Sequence, residues 1–129
     1  DARVIGIDFS RDMLIQTSSH RDLHRINADM RHIPLRSKTI DHLLSISAFN
    51  FAAEGALSEK DMKRLINLVY EDISRVLKAH SRIAIEYYPT DLQERFFTKL
   101  IRNFPLSGGM IIDNPNTRKE KKFLILEHS

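Results

Sequence analysis

An apolar run that stops at a single carboxylate constrains this chain more than any other feature. Val4, Ile5 and Ile7 lead to Asp8, and Ser10 follows as a residue suited to cap a helix. Such a short β-branched run predicts a strand buried on both faces, which is typical of parallel sheets. Ligands bind outside the carboxyl ends of parallel strands. Asp8 is therefore either an acceptor for the adjacent hydroxyls of a ribose or a helix-capping, solvent-facing carboxylate, and this stretch alone does not decide between them.

Strands and helices alternate along the rest of the chain. The short helix after Ser10 should carry Met13 and Leu14 inward and fray near residues 17–19. A polar connector over 20–25 follows. The remaining predicted elements are strands over 25–30, 39–48 and 81–88, a loop over 31–39, an amphipathic helix that runs from Ser58 to Leu77, a helix that opens with the Thr90–Gln93 capping box, and strands over 110–112 and 123–126. This order predicts a single α/β domain over residues 1–129 with an antiparallel edge pair.

Composition narrows the class of protein further. The chain has 129 residues, of which 42% are hydrophobic, and its net charge is only +3, which favours a soluble domain with a local basic patch. It contains no cysteine, so a disulfide framework and Cys-ligated zinc are excluded, and a reducing compartment is expected. The six histidines have no ligand spacing, so no metal site is predicted. The chain opens on Asp1 and runs almost at once into a strand, so we expect the natural start to lie earlier.

Three stretches carry a resemblance to a known family. They are residues 5–10, residues 45–48 and the Ser-Gly-Gly-Met to Asn-Pro-Asn stretch over 107–116, which Lys121, Lys122 and Phe123 follow. The element order resembles the class I S-adenosylmethionine-dependent methyltransferases, entered at their second strand. The three stretches resemble the eukaryotic small-subunit ribosomal RNA guanine-N7 methyltransferases. The resemblance to this family extends over essentially the whole chain.

The resemblance implies a Rossmann-like sheet with an antiparallel C-terminal hairpin. It implies methyl transfer from S-adenosylmethionine to guanine N7 of small-subunit rRNA, during ribosome biogenesis in the nucleus or nucleolus and also in the cytoplasm. It implies a heterodimer with a small zinc-binding activator subunit. The family's first strand, its glycine-rich turn and its basic C-terminal extension have no counterpart here. We therefore expect an N-terminally truncated domain with a gap or a rearrangement between the second and fourth family strands, and a fragment that aggregates or needs a partner.

The resemblance also implies roles for individual residues. Asp8 would hold the cofactor ribose and Asp29 the adenine amino group, and the activator would add to the sheet edge at Ile26, Ala28 and Met30. Guanine N7 carries a lone pair and no proton, so its methylation needs positioning and no general base. The other implied cofactor contacts are Phe9, Met13, Met30 and Ser47. The residues implied to border the guanine at the reaction centre are Asn50, Phe49 and Phe51. The implied substrate contacts are Tyr88, Pro89, Asn114 and Asn116.

Several alternatives stay open at this point. Phe49 and Phe51 either line the site or are ordinary core or rim residues, and Tyr87 is a further candidate to line it. The basic residues of the terminal connector either contact rRNA phosphates or form a solvated hairpin tip; they are Arg118, Lys119, Lys121 and Lys122. The rival functions are a methyltransferase for a small metabolite and a non-catalytic ribosome-assembly module. The sequence gives neither the target nucleotide nor the oligomeric state.

Overall fold

The structure, a computed structural model, describes residues 2–16 and 23–129 and begins with a parallel strand pair. Strand β1 (Val4–Asp8) pairs with β2 (Leu23–Asn27), and helix α1 (Arg11–Gln16) connects toward β2. The Oγ of Ser10 accepts a hydrogen bond from the Met13 N–H at 3.4 Å, as a capping residue does. The predicted fraying at 17–19 and residues 20–22 of the predicted polar connector lie outside the described residues. Residues 23–25, predicted as the rest of that connector, belong instead to β2, because they pair in register with β1.

One expectation for α1 is wrong. Met13 is 55% exposed and does not point inward. The reason is that, in the described part of the chain, this six-residue helix packs mainly against β1 and β2 and buries none of its residues fully. Leu14 is partly buried.

A second, four-stranded sheet contains β3 (Ile40–Ile46), β4 (Leu77–Tyr87), β5 (Leu106–Asp113) and β6 (Lys121–His128). Its order is β3-β4-β6-β5, with β3 and β4 parallel and the other two pairings antiparallel. The predicted antiparallel hairpin at the end of the chain is therefore confirmed, and its strands are longer than predicted. Strand β4 also starts earlier than predicted, because Leu77 already pairs with Ile40 before the backbone turns through His80 at φ 65°.

Two capped helices cover one face of this sheet. Helix α2 (Glu59–Val76) begins after Ser58, whose Oγ accepts from the Asp61 N–H at 3.0 Å. Helix α3 (Asp91–Leu100) begins with the predicted Thr90–Gln93 capping box, in which both reciprocal bonds are present. The buried residues beneath them form the hydrophobic core, which includes Ile66, Val69, Tyr70, Ile83, Ile85, Phe97, Leu124 and Leu126.

The opposite face of the four-stranded sheet is open. Leu44 and Ile46 of β3 are 70% and 61% exposed, and Ile111 and Ile125 of the hairpin are exposed as well. Within the described residues, no backbone pairing joins the two sheets, so β1 and β3 each have one unpaired edge. This is the gap expected between the second and fourth family strands. No helix among the described residues is long and apolar enough to cross a membrane.

Candidate cofactor and substrate site

The candidate site residues lie at or just after the carboxyl ends of the parallel strands. Asp8 ends β1, and Asp29 lies two residues after β2. A short 3₁₀ turn, Phe49–Phe51, follows β3 after two residues, and Tyr88 follows β4. Parallel strands present such residues at one edge of a sheet, where ligands of open α/β sheets bind.

Asp8 uses its two carboxylate oxygens differently. Oδ1 accepts a hydrogen bond from the Ser10 N–H at 2.9 Å, and the described residues donate no hydrogen bond to Oδ2. The Asn27 side-chain amide donates to the carbonyl oxygens of Asp8 and Phe9, both at 2.9 Å, and so ties the end of β1 to the end of β2. One carboxylate can therefore perform the local capping role with one oxygen and present the other to a ligand. Phe9, the next residue along the chain, and Met13, whose N–H donates to Ser10 Oγ, are both exposed.

Asp29 is held by a neighbouring arginine. Its Oδ1 accepts from the Arg31 backbone N–H at 2.9 Å and from Arg31 Nε at 3.0 Å, while Oδ2 accepts from Nη2 at 2.7 Å. The Arg31 hydrogen bonds lower the pKa of Asp29 and raise the pKa of Arg31. Asp29 is therefore an ionised acceptor with a fixed orientation. Met30, beside it, is partly buried against the core.

A carboxylate of β4 that sequence reasoning missed lies beside the residue that follows β3. Ser47 adopts φ 52°, and its N–H donates to the Glu86 carbonyl at 2.9 Å. Glu86 Oε1 accepts from Ser47 Oγ at 3.4 Å and from the Tyr88 hydroxyl at 3.1 Å. Glu86 thus joins the ends of β3 and β4. Its signal in the sequence is a charged residue within the otherwise apolar run that leads to Tyr87.

The two phenylalanines of the 3₁₀ turn have different environments. Phe49 is 1% exposed, and its ring centroid lies 4.8 Å from that of Phe97 and 5.6 Å from that of Tyr70. Phe49 is therefore a core residue in this structure and does not border an open site, because the aromatic cluster encloses its ring. Phe51 is 48% exposed and remains available. Tyr87 is fully buried in the same cluster.

Asn50, between them, is held by its backbone. Its carbonyl accepts from Gln93 Nε2 at 3.3 Å, so the α3 capping box fixes the 3₁₀ turn as well as the helix. Its side-chain Oδ1 is buried and has no hydrogen-bond partner among the described residues. Sequence reasoning assigned Gln93 to helix capping alone and missed this second contact.

The terminal hairpin brings its tip to the same edge as Tyr88. Strand register places Lys122 opposite Tyr87, so the loop before Lys122 lies beyond the end of β4. Asn114 and Asn116 adopt positive φ and shape this loop, and the Asn116 N–H donates to Glu120 Oε2 at 2.7 Å. The predicted substrate contacts Asn114, Asn116, Tyr88 and Pro89 thus share one end of the sheet.

The basic residues of the hairpin are not equivalent. Lys122 Nζ lies 2.8 Å from Glu94 Oε2, and this hydrogen bond raises the pKa of Lys122. Arg118, Lys119 and Lys121 are exposed at the tip. Three of the four residues predicted to contact phosphates are therefore exposed cations, and the fourth, Lys122, forms an ion pair with Glu94 of α3.

The predicted activator edge is partly strand. In the described part of the chain, β2 pairs with β1 alone, so its other edge is unpaired. Ile26 lies in β2, whereas Ala28 and Met30 lie beyond its end at Asn27.

The described residues offer no metal site of the usual kind. Residues 2–16 and 23–129 contain no group of three His, Cys, Asp or Glu side chains placed to hold an ion.

Comparison with known proteins defines the class. Residues 1–85 match the family model described as a methyltransferase domain. This match covers well over half of the chain, and the chain belongs to that methyltransferase domain family.

Individual relatives sharpen the comparison. The chain is 24% identical to the 18S rRNA (guanine-N(7))-methyltransferase bud23 of Schizosaccharomyces pombe over 95% of its own length and 47% of that protein. It thus spans about half the length of this relative. It is also similar to the methyltransferase in the Haloferax volcanii complex with the Trm112 activator, at 19% identity and a TM-score of 0.71, covering 98% of this chain and 71% of that one. The Bradyrhizobium japonicum N-methyltransferase NodS in complex with S-adenosyl-L-homocysteine gives a TM-score of 0.66 at 7% identity over 98% of this chain and 66% of that one. These structures confirm the predicted Rossmann-like methyltransferase fold.

Proposed function

We propose that this chain belongs to an S-adenosylmethionine-dependent methyltransferase that modifies guanine N7 in small-subunit rRNA. The observation that carries the proposal is its similarity, over nearly its whole length, to a curated enzyme of that activity. In both sheets, candidate residues follow the carboxyl ends of parallel strands, which supports the proposal.

The cofactor would be held at the ends of β1 and β2. No donor among the described residues bonds to the Oδ2 of Asp8, so this oxygen would accept from a ribose hydroxyl, and Asp29 would accept from the adenine amino group. When bound, S-adenosylmethionine supplies an electrophilic methyl group. Met30 and Ser47 would border the same ligand, and the NodS complex supports a ligand of this class for the fold.

The guanine would lie against the ends of β3 and β4. Phe51 and Tyr88, both about half exposed, offer aromatic faces on which an unstacked base can pack. Asn50 is the amide on the turn between these elements. Because guanine N7 has no proton to lose, what this chain must provide is orientation. The exposed cations of the hairpin tip would contact phosphates and fix the RNA without reading its sequence.

A small zinc-binding activator would add to the free edge of β2. An edge strand with unpaired backbone groups suits such β-augmentation, and the solved activator complex contains a methyltransferase of the same fold. We place the protein in the nucleus or nucleolus and also in the cytoplasm, where small ribosomal subunits are assembled and matured.

A non-catalytic assembly module is the second candidate. The observation that favours it is that β1 and β3 share no backbone pairing within residues 2–16 and 23–129. A module of this kind would bind RNA through the hairpin tip and would not need Asp8.

A methyl-transfer assay distinguishes these functions. The chain, with its activator, is incubated with small-subunit rRNA and isotopically labelled S-adenosylmethionine, and N7-methylguanine is mapped. We expect label at one guanine, loss of label in Asp8→Asn, and retention in Arg64→Ala, which alters an exposed ion pair on α2. RNA binding without methyl transfer would instead establish the module, and transfer to a small metabolite alone would contradict the rRNA assignment.

A further inference from the structure

Arg31 contacts both halves of the candidate site. Its Nε and Nη2 donate to the carboxylate of Asp29, on the side of the two-stranded sheet. Its Nη1 donates to the carbonyl of Glu54 at 2.9 Å. The Glu54 N–H in turn donates to the Phe51 carbonyl at 3.0 Å, so this second contact reaches the turn that carries Asn50 and Phe51. One guanidinium therefore spans the cofactor side and the base side.

Side-chain links of this kind matter because the two sheets share no backbone pairing in the described part of the chain. The next residues are anchored to α2: Arg75 donates to the carbonyls of Ile33 and Leu35 at 2.8 and 2.7 Å, and Asp72 accepts from the Ile33 N–H. The Arg31 side chain thus extends from a segment that α2 already holds against the larger sheet. Its contacts set where Asp29 lies relative to the 3₁₀ turn.

The chemistry of the pair limits what Asp29 can accept. A carboxylate has roughly four lone-pair positions. Three Arg31 donor atoms occupy most of them: the backbone N, Nε and Nη2. The side chain of Asp29 remains 39% exposed, so a ligand donor can reach the remaining acceptor position. A carbonyl facing this carboxylate would be repelled, whereas an exocyclic amino group would be bound.

We propose that Arg31 is a positioning residue: it orients Asp29 so that the remaining acceptor position of this carboxylate faces the amino group of a 6-aminopurine nucleoside, and it sets the distance between Asp29 and the Phe49–Phe51 turn. The inference rests on the proposed function, because it assigns Asp29 to the adenine amino group. Arginine is required, since the planar guanidinium makes the bidentate contact and the Glu54 contact together, and a lysine ammonium cannot reproduce that fork.

Ligand selectivity tests the proposal. S-adenosylhomocysteine and S-inosylhomocysteine, which has a carbonyl in place of the amino group, are titrated into wild type, Arg31→Ala, Arg31→Lys and Arg64→Ala. Arg64 is the matched control, because it forms an ion pair with Asp61 at 2.7 Å on the exposed side of α2. We expect both Arg31 variants to lose about tenfold of the preference for the adenosine ligand, since a hydrogen bond to a charged group changes affinity by about that much. Equal weakening of both ligands would overturn the proposal, because a merely structural role leaves the ratio unchanged.

Hydrogen exchange tests the positional part without any ligand. We expect faster exchange of the Ala52, Glu54 and Ala56 amides in Arg31→Ala and Arg31→Lys, and no change in Arg64→Ala. Unchanged exchange in Arg31→Ala would overturn the link to Glu54, and wild-type exchange in Arg31→Lys would show that charge suffices and that the fork does not matter. Failure of the wild type to bind either nucleoside would count against the proposed function, while exchange would still decide the position of Arg31.

Discussion

At the scale of single residues, the site depends on carboxylates that bond to their own chain before any ligand arrives. Asp8 holds Ser10 with one oxygen, and Asp29 is fixed by Arg31. Neither arrangement follows from residue type. By sequence pattern Arg31 is one of several basic loop residues, and its contact with Glu54 crosses 23 positions of sequence, which local pattern does not encode.

The Asp29–Arg31 pair predicts a pH dependence of stability. The folded pKa of Asp29 is lowered, so its contribution to the free energy of unfolding is complete above the unfolded value of about 3.9 and is lost as pH falls through the folded pKa. Urea melts of wild type and Arg31→Ala should therefore differ most above pH ~4, and the difference should shrink at lower pH to the part that comes from the Glu54 contact, which does not titrate. The difference will be modest, because the pair is partly exposed. A difference that is constant down to the most acidic pH would contradict this assignment.

The 3₁₀ turn shows the same limit of sequence reasoning. Phe49 and Phe51 flank Asn50 symmetrically in sequence, and a pattern of two aromatics does not say which one enters the core. Successive residues of a 3₁₀ helix are about 120° apart, so positions separated by two point in different directions. Packing against Tyr70, Tyr87 and Phe97 decided in favour of Phe49.

At the scale of elements, periodicity and capping predicted the helices well. Both Ser58 and Thr90 cap as expected, because these bonds are local. Strand ends were predicted less well, since pairing extends β4 and both hairpin strands beyond their apolar centres.

The glycine pair of the hairpin gives a stability prediction with an internal control. A Cβ on Gly108 would lie 2.0 Å from the Ile125 carbonyl oxygen, whereas a Cβ on Gly109 meets nothing within 4 Å. We expect Gly108→Ala to lower the free energy of unfolding by about 1–3 kcal/mol, and Gly109→Ala to change it by less than about 1 kcal/mol. Urea unfolding measures both. Equal effects would show that β5 and β6 do not approach this closely.

The hairpin tip gives a binding prediction. Replacement of Arg118, Lys119 and Lys121 by alanine should weaken rRNA binding and flatten the slope of its salt dependence by roughly 0.7 for each phosphate that the protein no longer neutralises. Lys122→Ala should mainly reduce stability, because that cation is paired with Glu94. Fluorescence anisotropy at several salt concentrations measures the slope. An unchanged slope in the triple variant would leave the tip as a solvated surface.

At the scale of the whole molecule, alternating strands and helices predicted the α/β class, and family resemblance predicted the gap between the two sheets. The sequence did not reveal how the sheets are connected. That connection involves Arg31, and Arg75 and Asp72 anchor the segment that follows it; each bonds to groups distant in sequence.

The open sheet face leads to a prediction about association. Leu44, Ile46, Ile111 and Ile125 form an exposed apolar surface of the kind that proteins usually cover. We expect the isolated chain to self-associate or to gain stability from a partner. Sedimentation and thermal melts measure this, and a monomer with a cooperative melt in the absence of any partner would contradict it.

Under the proposed function, the ends of β1 and β2 would hold an adenosine cofactor. Calorimetric titration of the chain with S-adenosylhomocysteine, alone and with the activator, tests it most directly, with Asp8→Asn as the matched variant because an amide keeps one oxygen for the Ser10 N–H. We expect micromolar binding that Asp8→Asn weakens by about tenfold or more. No binding in either condition, or equal binding by wild type and Asp8→Asn, would contradict it.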